Sequence, residues 1–419
     1  MTVSPAAGSG CGSWPAPEAP VVGCAEPDYT APESVRSTET PIASRSVILH
    51  LGPVPPPIEG GISVYVDGLL RSTLARRFDL RTYDVTVTLR YRRHRILRPF
   101  LSLRFLRGVQ RQLRSHRPDL VHIHTAGHAG FWEKALFGAM ARARGVPYVM
   151  HLHGGDFDLF LQNLRPRMAR YAARSLGHAA AVITTTARWG PLLERFVPRE
   201  RIVVVPNAIH VDDFTRVAQA RRGPSVRLLF LGMVSARKGL DELAQALLEL
   251  LRHGCSRFEL DVAGGEEVPG ELLRLRRLYA TPGLRERVRF HGPLFGADKL
   301  RLLQGADVFV LPSRNESFGI ANLEAMACGL PLVSTRTGAI PDYLVDGVNG
   351  FLVEPRDVDA LAQALARLIS DAPLRQRMGE EGRRRVRAYD WEQAVPLLAT
   401  LYERCVAATP KRDAVSSPE

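Results

Sequence analysis

Two carboxylates in the segment PSRNESFGIANLEAMACGLPLV (312–333) have the spacing to bind a polar ligand. Glu316 precedes a predicted helix, where free backbone N–H groups and the helix dipole favour an anion such as a phosphate. Glu324 falls within the apolar stripe of that helix at about 100° per residue, so its charge points toward the core. Burying a carboxylate is costly unless donors meet it, and the two hydroxyls of a ribose would be such donors. The ordinary alternative is that Glu324 pairs with a neighbouring Arg and that Glu316 is solvated.

The elements that hold these carboxylates are predicted to be a strand, a loop and a helix. The apolar run ADVFVLPS (306–313) has the length of a strand, and SFGIANLEAMACG (317–329) predicts a helix with Ser317 as N-cap and Gly329 as C-cap. A loop that joins a parallel strand to the following helix lies at the carboxyl end of the sheet, where α/β domains bind ligands.

A pair of cations occupies a comparable position in LFLGMVSARKGLDEL (229–243). This stretch predicts a strand, a glycine turn and a helix that begins next to Arg237 and Lys238. Two cations at the carboxyl end of a strand suit a diphosphate. On composition alone, two exposed basic residues are the more ordinary interpretation.

A glycine pair opens the first predicted helix. The letters EGG at 59–61 follow the first strand, so Gly60 and Gly61 would let the backbone approach a ligand closely at a helix N-terminus. The pair lacks the GxGxxG spacing, and no GxxxxGK[ST] occurs in the sequence, so neither dinucleotide nor Walker-type binding is supported.

Histidines alternate on two predicted strands, so each pair shares a face of the sheet: His122 with His124, and His151 with His153. Such strands could form a metal site completed by Asp156 or Asp158. The ordinary alternative is a set of core histidines whose nitrogens are satisfied by the backbone. His153 differs from the others because HGGD places it at the carboxyl end of its strand, where a donor or acceptor near a ligand would lie.

Composition limits the class of protein. A net charge of +13 admits nucleic acid, an anionic membrane surface or phosphorylated small molecules as partners. The five cysteines are scattered without a CxxC pair, which favours a reducing cytoplasm. No apolar run reaches the roughly 18–20 residues that span a bilayer, and the first residues lack a signal-peptide pattern. We therefore expect a cytoplasmic protein that is neither exported nor integral to a membrane.

The 419 residues are enough for two domains. Strands and helices alternate in two series, which predicts an α/β protein of two doubly wound parallel sheets with a cleft between them. The predicted segments are a disordered stretch at 1–44, a first domain at 45–208 completed by a helix at about 390–408, a linker at 209–225, a second domain at 226–389 and a disordered tail at 409–419.

The segment 90–117 is strongly basic, with apolar residues among its arginines. A basic amphipathic helix of this kind can lie on an anionic membrane, which would make the protein membrane-associated. The alternative is a solvated helix whose apolar side belongs to the domain core. Nucleic acid is not expected as a partner, because no aromatic interleaving or reading motif accompanies the charge.

The pattern PSxxESFGxxxLEAMAxGxP resembles the signature of the retaining glycosyltransferases of family 4, which have the two-domain GT-B fold with Rossmann-like halves. The resemblance covers nearly all of 46–406, including the EGG turn, His153 with Gly154, VVVPNAIHVDDF at the domain crossing, and GAIPDYLVDGVNGFLVEP. It implies that a sugar is transferred from a UDP- or GDP-linked donor to a glycan or lipid-linked acceptor in cell-envelope or exopolysaccharide biosynthesis. The family usually needs no metal, so no cofactor is expected.

The resemblance also implies a role for each candidate residue. Glu324 would bind the donor ribose and Lys238 the diphosphate, while Glu316 with Ser317, Phe318 and Gly319 would contact the sugar and phosphates. His153 would contact the sugar near its reacting carbon. Gly60 and Gly61 would shape the donor or acceptor side. His153, Glu316 and Lys238 are thus the expected catalytic residues.

Three departures from the family pattern bear on this assignment. Met233 stands where the family has a diphosphate-binding Arg, and Arg237 in the same loop is the candidate replacement. Asp342 stands where Glu is common, and Ala339 where Gly is common. Met233 leaves open a nucleotide-sugar-binding protein without transfer activity, and the paired histidines leave open a metal-dependent hydrolase.

Overall fold

The computed structural model describes residues 45–55, 60–85, 98–126, 128–155, 157–215 and 223–409, without the side chains of 98–103, 128, 129 and 158. Several predictions concern residues outside these ranges: disorder at 1–44 and 410–419, the start of the basic segment at 90–97, and the middle of the linker at 216–222. The two candidate metal ligands are also affected, because Asp156 and the side chain of Asp158 lie outside the described part.

The first domain contains a sheet of six parallel strands in the order β2-β1-β3-β4-β5-β6. Its central strands are apolar runs buried on both faces, as expected for a parallel sheet covered by helices. The strands are β1 Val47–Gly52, β2 Asp79–Asp84, β3 Leu120–Thr125, β4 Tyr148–Leu152, β5 Ala181–Thr184 and β6 Ile202–Val204.

The second domain repeats this architecture with the order β12-β11-β10-β7-β8-β9. In both sheets the strand order reverses beside the first strand of the domain, and this switch point is where ligands bind in open α/β sheets. The strands are β7 Val226–Leu231, β8 Phe258–Ala263, β9 Val288–Gly292, β10 Val308–Leu311, β11 Leu332–Thr335 and β12 Gly350–Val353.

Helices connect the strands and cover the faces of both sheets. In the first domain they are α1 Gly60–Arg71, α2 Leu74–Arg77, α3 Arg98–Ser115, α4 His128–Arg142, α5 Phe157–Gln162, α6 Pro166–Gly177 and α7 Gly190–Leu193. In the second they are α8 Leu240–Arg252, α9 Glu271–Tyr279, α10 Gly296–Gly305, α11 Ile320–Ala327, α12 Ile340–Tyr343, α13 Val358–Ser370 and α14 Ala372–Val386. The predicted fold of two doubly wound domains is confirmed.

The chain passes between the domains at two points that lie side by side. Ile209 donates its N–H to the carbonyl of Tyr389 over 3.0 Å, and Trp391 donates to the carbonyl of Ile209 over 3.1 Å. Asp390 caps the last helix, α15 Trp391–Ala407, by accepting the N–H of Glu392 over 3.0 Å. The helix then packs on the first domain, where Tyr402 is fully buried against His50 of β1 and His122 of β3, and Trp391 is fully buried against Tyr65 of α1.

The described part of the basic segment has its apolar side in the core of the first domain. Phe105, Val109 and Leu113 recur along α3 and are buried, as an amphipathic helix on a sheet requires. The opposite side is exposed and basic, and carries Arg104, Arg107, Arg111 and Arg114. Among the described helices, none is both long enough and apolar enough to cross a bilayer.

Candidate active site

The ten residues predicted to bind or react with a ligand all line one cleft between the two domains. Its volume is about 900 Å³. The first domain contributes the start of α1 and the turn after β4, and the second contributes the loops after β7 and β10. The residues are Gly60, Gly61, His153, Arg237, Lys238, Glu316, Ser317, Phe318, Gly319 and Glu324.

Glu316 and Lys238, which both line this cleft, form a buried ion pair. Their exposed fractions are only 8% and 9%, and the Lys238 ammonium donates to Oε2 of the Glu316 carboxylate. Glu316 is therefore not a solvated loop residue. The pairing offsets the cost of holding each charge away from water.

Glu324 is 4% exposed and pairs with Lys299, whose Nζ lies 2.8 Å from Oε1. The partner is a lysine from α10 rather than the arginine that the ordinary alternative supposed. Sequence reasoning missed Lys299, although one signal was present. Lysine occurs at only four positions of this arginine-rich chain, and two of them face the two glutamates of the motif.

The helix that carries Glu324 begins later than predicted. Gly319 precedes α11 with φ of 77°, and Ser317 does not cap the helix. A Cβ at position 319 would lie 2.8 Å from Nδ2 of Asn322, so both the backbone angle and the space require glycine there. The expected N-cap at Ser317 is wrong because the sharp turn at Gly319 separates the Glu316 loop from the helix. At the other end Cys328 is the C-cap, and Gly329 follows it with φ of 72°.

Phe318 contributes backbone rather than its ring to the cleft. Its side chain is 1% exposed and packs against the rings of Tyr343 and Tyr389, with centroids 5.5 and 5.9 Å away. Tyr343 also donates to the carbonyl of Phe318. These contacts hold the loop that presents Glu316.

The two domains also approach each other closely at this loop. A Cβ at Gly155 would lie 2.8 Å from the backbone nitrogen of Ser317 and 2.8 Å from Oδ1 of Asn315. A Cβ at Gly61 would be 3.9 Å from Cδ1 of Ile320. The starts of α1 and α11 therefore face each other across the cleft.

Arg237 and Met233 lie on the same wall of the cleft. The Arg237 guanidinium donates to Glu267 Oε1 over 3.0 Å and to the carbonyl of Asn315 over 3.1 Å. These contacts hold it beside the Glu316 loop. Met233 is 37% exposed and carries no charge. Among the described residues that line the cleft, Arg237 is the only arginine.

Five histidines, not four, meet on one face of the first sheet. His50 on β1 lies level with His122, and His124 lies level with His151. The imidazoles bond to one another instead of to the backbone, with nitrogen to nitrogen distances of 3.0 to 3.2 Å. Two sets of three have nitrogens close enough to share a metal ion: His50, His122 and His124, and His124, His151 and His153.

Burial governs the protonation of this cluster. It lowers the pKa of His50 and of His153 to about 3. Burial followed by repulsion from neighbouring imidazoles lowers the pKa of His122, His124 and His151 well below 6.5. All five are therefore neutral at pH 7.

Asp342, one of the departures from the family pattern, binds the first domain. Its Oδ2 accepts from the hydroxyl of Thr186 over 2.7 Å and its Oδ1 accepts from Nε of Arg188 over 2.9 Å. Ala339 is fully buried one turn earlier. Asp342 thus connects the domains beside the cleft.

Comparison with known proteins assigns the family. The sequence model of the family described as "Glycosyl transferases group 1" matches residues 211–385, and that described as "Glycosyl transferase 4-like domain" matches residues 60–208. D-inositol 3-phosphate glycosyltransferase of Streptomyces griseus is 31% identical over 337 residues, which cover 71% of this chain and 70% of that protein. The chain belongs to the group 1 glycosyltransferases.

Other relatives of this glycosyltransferase cover more of its length. D-inositol 3-phosphate glycosyltransferase of Streptomyces avermitilis is 28% identical over 432 residues, 91% of this chain and 92% of that protein. Sucrose-phosphate synthase of Thermosynechococcus elongatus has a TM-score of 0.74 at 22% identity, covering 87% of this chain and all of that one. HepE of Anabaena, solved with UDP and glucose, has a TM-score of 0.65 at 19% identity, and the match covers 85% of this chain and 98% of that one. These structures share the GT-B fold.

Proposed function

We propose that this glycosyltransferase moves a hexosyl group, with retention of its anomeric configuration, from a UDP- or GDP-linked donor to a glycan or lipid-linked acceptor. One observation carries the proposal. Two carboxylate–lysine pairs, Glu316 with Lys238 and Glu324 with Lys299, line one cleft at the start of a helix. A donor that combines hydroxyls with a diphosphate needs acceptors and cations in this arrangement.

The second domain would hold the donor. The cations that line the described part of the cleft, Arg237, Lys238 and Lys299, all come from this domain. The backbone N–H groups at the start of α11 add partial positive charge beside them. Together they would stabilise the negative charge that develops on the departing diphosphate.

The carboxylates would act at the two ends of the donor. Glu324 would accept hydrogen bonds from the ribose hydroxyls, because it is buried on α11, beyond the loop that carries Glu316. Glu316 would lie near the sugar, where an oxocarbenium-like transition state carries positive charge. His153 would contact the sugar from the first domain, and closure of the domains would exclude water from the reacting carbon.

Two features support the choice of donor and the absence of a metal. HepE, which shares the fold, was solved with UDP and with UDP-glucose. In this chain, two lysines and one arginine provide the cations that a metal would otherwise supply to the diphosphate. We propose that transfer needs no metal ion.

The acceptor would bind from the first domain, in the cytoplasm, in a step of cell-envelope or exopolysaccharide biosynthesis. The exposed arginines of α3 support contact with an anionic membrane through the segment 90–117, where a lipid-linked acceptor would be found. D-inositol 3-phosphate, the substrate in the names of the Streptomyces relatives, is the second candidate acceptor.

The test is product analysis by proton NMR. The protein is incubated with UDP- and GDP-hexoses and with lipid-linked, glycan and D-inositol 3-phosphate acceptors, with Glu316→Gln as the inactive control. We expect one donor to give a product whose anomeric configuration matches that of the donor, with or without EDTA. Donor binding without any turnover would favour a non-catalytic binding protein. Transfer that EDTA abolishes would contradict metal-free transfer, and release of free hexose that EDTA abolishes would favour a metal-dependent hydrolase.

A further inference from the structure

The histidine cluster extends from the cleft into the core of the first domain. His153 lines the cleft, and the other four lie behind it on the sheet face covered by α1 and α15. Tyr65 of α1 and Tyr402 of α15 pack edge-on against these rings. The proposed function uses only His153, so the other members need a separate explanation.

One set of contacts runs as a chain from His153 inward. Nε2 of His153 lies 3.0 Å from Nδ1 of His124, and Nε2 of His124 lies 3.2 Å from Nδ1 of His50. A second chain joins His151 to His122 over 3.1 Å and His122 to the Tyr402 hydroxyl over 2.6 Å. Only the first chain ends at the cleft.

The first chain has two possible directions of donation. A neutral imidazole has one N–H and one lone pair, so each link needs a donor on one side and an acceptor on the other. The direction of one link therefore fixes the next. Either His50 donates to His124 and His124 to His153, or both links run the opposite way.

The inner end of the chain decides between these directions. Nε2 of His50 is buried and has no hydrogen-bond partner among the described residues. A buried N–H without a partner is rarer in proteins than an unused acceptor. The hydrogen of His50 therefore lies on Nδ1, and His50 donates to His124, which donates to Nε2 of His153. The remaining hydrogen of His153 lies on Nδ1.

We infer that His124 and His50 are positioning residues that hold His153 as a neutral imidazole with its hydrogen on Nδ1, so that it offers one N–H to an oxygen of the donor sugar. The sugar contact rests on the proposed function, whereas the tautomer does not. Because His124 occupies the lone pair of His153 at Nε2, His153 acts as a donor and not as a general base.

The tautomer is measured directly by long-range proton–nitrogen NMR correlation on protein labelled with ¹⁵N-histidine, with His153 assigned by its loss in His153→Asn. We expect Nδ1 to carry the hydrogen in the wild type and the two tautomers to mix in His124→Phe. His122→Phe is the matched control, because His122 lies on the same strand but belongs to the second series of hydrogen bonds. In this variant the tautomer of His153 should be unchanged. A hydrogen on Nε2, an imidazolium, or no change in His124→Phe would overturn the inference.

A binding measurement tests the consequence. In His124→Phe we expect the nucleotide-sugar to bind about three- to tenfold more weakly, as for one lost hydrogen bond, with the nucleoside diphosphate unaffected. His124→Gln, which keeps an amide donor, should recover part of the loss and guards against a folding defect in the Phe variant. Equal weakening of both ligands would overturn the sugar contact.

Metal analysis completes the experiment. One equivalent of zinc in the purified wild type, lost in His124→Phe, would show that these histidines form a metal site and would overturn the proposed hydrogen-bond chain from His50 to His153. A wild type that binds no nucleotide would contradict the proposed function. The tautomer of His153 would still decide whether the hydrogen-bond chain from His50 to His153 exists.

Discussion

Lys299 of α10 donates to Glu324 of α11 over 2.8 Å. This contact joins two helices of the second domain at the wall of the cleft, and both residues face the space where a donor would lie. The lysine offsets the cost of a carboxylate that is 4% exposed. It holds the Glu324 carboxylate in place as an acceptor for ligand hydroxyls.

Replacement of Glu324 by glutamine should weaken donor binding. The amide keeps the shape of the side chain but loses the charge that strengthens hydrogen bonds from the ribose hydroxyls, and we expect about a tenfold loss of affinity. Isothermal titration with the nucleoside diphosphate measures it. Glu259→Gln is the control, since Glu259 pairs with Arg289 over 2.8 Å on β8 and does not line the cleft. Unchanged affinity in Glu324→Gln would exclude the ribose role.

The buried pair of Lys238 and Glu316 should show strong coupling in a double-mutant cycle. Lys238→Met and Glu316→Gln each leave one buried partner alone, so each should lower the free energy of unfolding by about 3 kcal/mol. The double variant should lose clearly less than the sum of the two. Urea unfolding at pH 7.5 measures all four proteins. Additive losses would mean that the two side chains do not interact in solution.

Arg237 should matter for turnover if it replaces the arginine missing at Met233. We expect Arg237→Ala to lower kcat by about tenfold or more, because a charge-assisted contact to the diphosphate is lost. Arg274→Ala serves as the matched control. Arg274 is similarly exposed and pairs with Asp241 over 2.6 Å, outside the cleft. Full activity in Arg237→Ala would rule out the replacement.

The histidine cluster predicts a loss of stability in mild acid. The folded pKa of His50 and His153 is about 3, below the ordinary value of 6.5, so the unfolded chain binds more protons between these limits. The contribution of each neutral histidine to the free energy of unfolding is fully present above pH 6.5 and is lost as the pH drops toward 3. At pH 5.5 the loss is about 1.4 kcal/mol per histidine.

Urea unfolding at pH 7.5 and 5.5 measures this effect. The free energy of unfolding should differ less between the two pH values in His50→Phe than in the wild type. His253→Phe is the control, because His253 is exposed on the second domain. A wild type equally stable at both values would show that the cluster is not neutral in the folded protein.

Strand and helix order could be predicted from the sequence because parallel strands are continuous apolar runs. Runs such as VRLLFLG and ADVFVLPS each correspond to a strand of the structure, β7 and β10. The turn before α11 could not be placed correctly. Ser317 is a good N-cap by residue type, but Gly319 adopts a positive φ that only the folded loop reveals.

The candidate residues could be predicted one by one, but their partners could not. The apolar stripe identified Glu324 as a buried carboxylate, whereas Lys299 lies on a separate helix whose packing the sequence does not define. His50 escaped notice for a similar reason. It is the only histidine on its strand, and it joins the cluster through sheet pairing between β1 and β3.

The most direct test of a nucleotide-sugar donor site in this cleft is thermal unfolding of the full chain with UDP, GDP, ADP and their sugar conjugates, each with and without EDTA. A ligand present at 100 times its dissociation constant adds about 2.7 kcal/mol of stability. We predict that one diphosphate and its sugar conjugate raise the unfolding temperature, and that EDTA changes nothing. No rise with any nucleotide, or stability lost on chelation alone, would contradict a metal-free donor site in this cleft.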